Sequence, residues 1–330
     1  MTLSTPKPQS IPALVPKSAE EFKSSGVSAI RAPSVMRRNL FDPTKSGIRL
    51  LFFGPHGSGK TYSLRGLIEN GWKVLVLSTD IGGSGMEAVA TPLRNEGKEE
   101  SLRGCEDITF APGDYEGFEA FLKKPTIVFP EIYDWDPDIV MWDGFGVFQN
   151  DTLYNYISAM ESESKKGPSE QRASGMSVDQ KDWGLIRNGT MRVLNLFCAM
   201  HNKKTGKVWH KFVTCPENIK SKEVAPGKSA LAETKEPFLT GAGGVFIRGA
   251  FDLIVKTQVR KAKSNEESDD GKRVFEYVIE GHENLASKNR GFDFHGASVL
   301  PGDGYVLFTE LLRQRGISKN QIDEKLKSTT

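Results

Sequence analysis

The stretch Gly54-Pro55-His56-Gly57-Ser58-Gly59-Lys60-Thr61 meets G-x-x-x-x-G-K-[ST] at every fixed position, and the chemistry of such a stretch is the holding of phosphate. Glycines let backbone N–H groups converge on phosphate oxygens with no side chain in the way. Lys60 is long enough to reach the outer phosphates, and the Thr61 hydroxyl can ligate Mg²⁺. Tyr62 follows at once and completes the set expected to touch a nucleotide. His56 stands at a variable position and is expected to face solvent.

Such a loop needs a carboxylate for the Mg²⁺ shell. "DIVMWDG" offers Asp143 after four apolar residues, where it would support the ion through a water molecule; the competing reading is a helix cap or turn. The next residue is Gly144 and not Glu, so a water-activating base directly after the metal carboxylate is disfavoured. Asp80, closing the apolar run "WKVLVLSTD" before "IGGSG", is the candidate base. A carboxylate there would project from the carboxyl edge of a sheet, where open α/β folds bind ligands. A turn-forming Asp is its alternative.

These residues need a sheet to carry them, and the pattern supplies one. Strands are expected at Ile48–Phe53, Trp72–Thr79, Asp107–Ala111, Asp138–Trp142 and Lys211–Cys215, with helices at Lys60–Glu69, Tyr115–Lys123, Val147–Met160 and Asp182–His201. This alternation predicts a mainly parallel sheet flanked by helices. Strands Phe251–Arg260 and Arg273–Gly281 read as a C-terminal antiparallel hairpin, and Ser318 and Gln321 have capping-box spacing before a short terminal helix. Two polar stretches, 161–181 and 217–237, read as loops. Residues 1–45 are rich in Ser, Pro and Lys and read as a flexible arm, 46–300 as the core, and 301–330 as an extension.

The chain has 330 residues, 38% of them hydrophobic, and a formal net charge of +2. That length allows a substantial core, and the charge makes no strong electrostatic case for a nucleic-acid binder, although a nearly neutral protein can carry a local basic patch. Neither a membrane-length apolar run nor a secretory signal is seen, so a cytoplasmic protein is expected. Cys105, Cys198 and Cys215 have no paired spacing, which argues against disulfides and a zinc site.

Taken in order, "GPHGSGKT", Asp80, "DIVMWDG", "HKFVTCPEN", "PFLTGAGGVFIRGAFDLIV" and "SKNR" resemble the RecA-like P-loop NTPase core. More narrowly, they resemble the phage-encoded RecA-like ATPases associated with single-strand annealing and recombination. The resemblance covers residues from Gly47 to Phe294. It implies ATP and Mg²⁺ as cofactors, Lys60 and Thr61 on phosphate and metal, Asp143 at the metal and Asp80 as base. The family usually has Glu at the base position, so the shorter Asp80 puts placement of the water in question. By the same resemblance Glu217 and Asn218 match the γ-phosphate sensor, and Lys288 and Arg290 match basic groups that reach a nucleotide, in some members from a neighbouring subunit. Single-stranded DNA and a homo-oligomer, ring or filament, are the implied partners. Leu40 and Phe41 of "MRRNLF" are expected to dock on a neighbour.

The implied DNA-facing loops are 162–181 and 219–235. The first balances Lys165, Lys166, Arg172 and Lys181 against nearby acids, and the second is mildly basic through Lys220, Lys222, Lys228 and Lys235. Neither interleaves aromatics for base stacking. Two other functions share the loop: a small-molecule kinase, for which no compact Arg cluster is evident, and an assembly protein that uses ATP as a switch with little turnover.

Overall fold

In a computed structural model the described residues are 46–80, 85–153, 155, 157, 180–223, 231–239, 247–261, 273–279, 288–289, 292–294 and 299–327. The expected arm and the first of the two loops fall outside them almost entirely.

The strands are β1 (Arg49–Gly54), β2 (Val74–Ser78), β3 (Cys105–Thr109), β4 (Ile139–Asp143), β5 (His210–Glu223), β6 (Leu231–Pro237), β7 (Leu253–Lys261), β8 (Arg273–Val278), β9 (Lys288–Asn289) and β10 (Val299–Pro301). Their order across the sheet is β10-β8-β7-β1-β5-β4-β2-β3, with β6 pairing β5 and β9 pairing β7. From β3 to β7 every neighbouring pair is parallel. β8, β9 and β10 join antiparallel, so the expected hairpin is present as β7 and β8.

β1, β2 and β4 are apolar on both faces because both faces are covered. Alternate residues go to opposite sides. Leu51, Phe53, Leu75, Leu77, Val140 and Trp142 face one core with Phe118, Phe121, Val193, Leu194 and Phe197, from helices α3 (Tyr115–Lys123) and α6 (Gln180–Ala199). Leu50, Phe52, Val74, Val76, Ile139 and Met141 face the other. That second core takes Leu64, Leu67 and Ile68 from α1 (Leu64–Glu69), Val89 and Leu93 from α2 (Glu87–Asn95), and Leu307, Phe308, Leu311 and Leu312 from α7 (Gly304–Gln314). Between α3 and α6 lie two short turns, α4 (Ile132–Trp135) and α5 (Phe145–Val147), and α8 (Lys319–Lys327) closes the chain. The capping box precedes α8: Ser318 N donates to Gln321 Oε1 at 2.8 Å, and Gln321 N donates to Ser318 Oγ at 3.3 Å.

Two expectations change. The helix expected from Val147 begins at Phe145 and passes into a π-helical turn over Phe148–Thr152. The polar stretch 217–237 is not a plain loop, since β5 runs on to Glu223 and pairs antiparallel with β6 from Glu217↔Pro237 to Glu223↔Leu231. Pro216 marks the change: it has no N–H to extend the parallel ladder beyond its register with Gly54. Among the described residues no helix is long and apolar enough to cross a membrane.

Candidate phosphate and metal site

β1 ends at Gly54, and the loop that follows is braced from β7. A Cβ on Gly54 would lie 2.3 Å from the Thr257 carbonyl oxygen, so only glycine permits this approach of the two strands. The Thr257 hydroxyl donates to Phe53 O at 3.2 Å and therefore accepts from the Ser58 hydroxyl at 2.6 Å. Gly57 and Gly59 hold φ of +73° and +86°, where a side chain would strain the turn. Lys60 Nζ donates to the carbonyls of Gly54 and Pro55 at 2.9 and 2.8 Å. Its pKa is lowered by burial, an effect opposed first by Asp143. A one-turn 3-10 segment, Thr61–Ser63, then leads into α1.

Asp143 ends β4 and is 6% exposed. Thr61 Oγ1 donates to its Oδ2 at 3.0 Å, and Thr214 Oγ1, from β5, donates to its Oδ1. Thr214 in turn accepts Gly144 N–H at 3.0 Å. Burial raises the Asp143 pKa; the Thr214 and Thr61 hydrogen bonds lower it, and nearby Asp80 raises it again. Asp80 follows β2, half-buried, and is held against Gly144, where a Cβ would come within 2.9 Å of Asp80 N. Glycine at 144, with φ of +89°, thus lets the two carboxylate-bearing segments meet.

Thr61 and Asp143 suit a Mg²⁺ ion that arrives with phosphate oxygens. The hydroxyl and carboxylate are hard oxygen donors, and a Cβ on Gly85 would lie 2.4 Å from Asp143 Oδ2 and 2.9 Å from Thr61 Oγ1, so the glycine keeps that flank clear. Among the described residues no three His, Cys, Asp or Glu side chains converge to hold an ion by themselves. A cavity of about 390 Å³ opens over the loop, lined by residues 56–62 together with Asp80, Gly85, Asp143, Thr214 and Phe275. His56 is exposed at its edge.

The remaining candidates are less closely gathered. Glu217 forms an ion pair with Lys256 of β7 at 3.4 Å, both largely buried, and it also acts on Lys60 electrostatically. Asn218 is half-buried and sits in the β5–β6 ladder opposite Glu236. Lys288 has its backbone in β9, opposite Ile254. Arg290 lies outside the described residues. Thr214, Gly85, Phe275, Thr257 and Lys256 were not singled out in the sequence. Thr214 lies in the run "HKFVTCPEN" before the proposed sensor, with no signal in the sequence that sets it apart from any strand threonine.

No family model and no curated protein matches the chain. Among solved structures it is similar to the flagellar accessory protein FlaH from Methanocaldococcus jannaschii, with 14% identity over 74% of this chain and 85% of that one and a TM-score of 0.33. It is also similar to the RadB recombinase, with 15% identity over 72% of this chain and 81% of that one and a TM-score of 0.36.

Proposed function

We propose that this chain is a RecA-like ATPase that binds ATP with Mg²⁺ and hydrolyses it while assembled on single-stranded DNA, in recombination, repair or replication. The observation that carries the reading is the meeting of Thr61, Asp143 and Lys60 under a glycine loop at the carboxyl edge of a parallel sheet. In the bound state Lys60 exchanges the Gly54 and Pro55 carbonyls for phosphate oxygens, and the loop N–H groups take the rest of the charge. Thr61, and Asp143 through water, would hold Mg²⁺, which would supply charge neutralisation at the outer phosphates. Asp80 orients the attacking water. Glu217 and Asn218 sense the outer phosphate, while Lys288 and Arg290 act across a subunit boundary in a ring or filament. ATP that binds only the assembled state favours assembly by mass action.

The test is ATP turnover and sedimentation with and without single-stranded DNA, on wild type and on folded Lys60→Ala. Turnover raised by DNA and lost in the variant supports the reading. Phosphate passing to an added small acceptor supports the kinase instead. Nucleotide-dependent assembly with negligible turnover supports the switch. Wild-type ATP affinity together with wild-type turnover in Lys60→Ala, both measured on the folded variant, overturns all three.

A further inference from the structure

The described chain begins at Ser46, and that point is anchored. Arg315, the residue after α7, donates to Ser46 O at 2.9 Å and to Ser46 Oγ at 3.3 Å, while its second amine donates to Asp252 Oδ2 at 3.0 Å. The same guanidinium carbon lies 5.6 Å from the Phe292 ring centroid. From there residues 292–294 run beside α7. Asp293 N donates to Gln314 Oε1 at 2.6 Å, and Phe294 reaches a second cavity, of about 520 Å³, between α7, α8 and β10. Its apolar lining is Phe294, Leu300, Tyr305, Val306 and Ile322. Val306 is 47% exposed, so the lining runs out to the surface. Apolar surface gathered in this way marks a place where something docks.

Directly ahead of Ser46 the sequence reads Asn39-Leu40-Phe41-Asp42-Pro43-Thr44-Lys45, in which Leu40 and Phe41 are the large apolar side chains. Phe41 is five residues from Ser46, a stretch that spans up to about 17 Å when extended, and Pro43 favours an extended path at Asp42. Thr309 and Tyr305, which line the cavity, stand six and ten residues before Arg315 on α7. At about 1.5 Å per residue those distances are about 9 and about 15 Å. The segment therefore reaches the length of the cavity from its own anchor. Ser328-Thr329-Thr330, the residues that follow α8, offer no large apolar side chain to it. A short tether also holds its ligand at an effective concentration on the order of millimolar, which favours the chain's own segment over that of a second copy in dilute solution. We propose that Leu40 and Phe41 fill this cavity on their own chain, as a strap across α7 and α8. A neighbouring subunit would have to displace the strap to receive the same two side chains, so docking within the chain opposes assembly through them.

The experiment is amide hydrogen exchange on the full chain, read in peptides from α7 and α8 and, for reference, from β1 and β4. The variants are Phe41→Asp, Phe41→Leu and Val306→Asp. The first puts a charge on the strap, the second keeps it apolar, and the third puts a charge on the cavity wall at a position already partly in water. Each Asp variant is expected to speed exchange in α7 and α8 about tenfold, with β1 and β4 unchanged. Phe41→Leu should stay near wild type, and the double Asp variant should be no faster than either single one, because both remove the same contact. Wild-type protection should survive dilution by about a hundredfold, as a contact within one chain must. Wild-type exchange in Phe41→Asp removes the strap. Protection lost on dilution assigns the cavity to a second copy, and a rise in α7 and α8 no larger than that in β1 and β4 shows that Phe41 supports the whole core; each of these results overturns the proposal. Should Val306→Asp fail to fold, the two Phe41 variants and the dilution series decide the matter without it.

Discussion

Replacing Thr214 by Val removes one oxygen from beneath Asp143 and leaves the shape of the strand nearly unchanged. That hydroxyl donates to Asp143 Oδ1 and accepts Gly144 N–H at 3.0 Å, on a residue 1% exposed. Its loss strips one partner from a carboxylate oxygen and one from a backbone N–H, at about 1–3 kcal/mol each, for a loss of about 2–4 kcal/mol after relaxation. The same hydrogen bond is the largest influence holding down an Asp143 pKa that burial has raised above 3.8, so the variant raises it further. Between 3.8 and the folded value the folded protein holds more protons than the unfolded chain, and this group's contribution to stability falls as pH rises through that window. Metal-dependent binding has the opposite sign, because it needs the carboxylate: affinity strengthens as pH rises, and in the variant that rise is displaced upward. Each unit of displacement is worth about tenfold in affinity within the window. Urea unfolding and calorimetric titration of ADP with and without Mg²⁺, from about pH 5 to about pH 8, read both effects. Stability and Mg²⁺ dependence equal to wild type at every pH would show that Thr214 does not hold Asp143.

Gly85→Ala places a methyl 2.4 Å from Asp143 Oδ2; overpacking of this kind costs about 1–3 kcal/mol. The Mg²⁺ enhancement of nucleotide affinity should therefore fall by about tenfold with metal-free binding retained, as titration with and without chelator would reveal. Asp143→Asn should weaken Mg²⁺-dependent binding, whereas Asp80→Asn should spare binding and lower turnover, because a water-orienting group acts mainly in the transition state; equal loss of binding in both would make Asp80 structural or metal-linked. Lys211 is fully buried, donates to Met200 O and Trp209 O at 3.0 and 2.8 Å, and is pulled by burial from 10.5 to about 7. The folded state then holds fewer protons than the unfolded chain between those values, so its stability rises with pH across the window, and a penalty of up to about 5 kcal/mol is present below it. Lys211→Met should gain on wild type at about pH 6, and that advantage should shrink steadily above about pH 7 and vanish only near pH 10.5 in urea unfolding; parallel pH profiles would refute this.

The candidate phosphate loop was legible as a pattern because the chemistry it suggests is local. Eight consecutive residues carry the glycines, the cation and the hydroxyl, and no distant partner is needed to recognise them. Asp143 was legible through the apolar run before it, since a strand buried on both faces has to end where a charge begins. The expected helix Tyr115–Lys123 matches α3 residue for residue, with Asp114 accepting Gly117 N–H at 2.9 Å as its cap.

What surrounds those residues was not legible, because it converges from separate strands. Thr214 meets Asp143 only through lateral register, with Met141 opposite Phe212 and Trp142 opposite Val213, and nothing in "HKFVTCPEN" distinguishes it from any strand threonine. Phe275 reaches Gly59 because β8 pairs with β7, which pairs with β1. The β5–β6 arm escaped because its stretch is polar with no alternating apolar face, and its backbone ladder forms without one. The sequence alone singles out the candidate phosphate-binding groups and marks where the buried strands end. The order and register of the strands determine which hydroxyl steadies Asp143 and which ring lies beside the loop, because these contacts depend on lateral neighbours that lie 71 and 216 residues away along the chain.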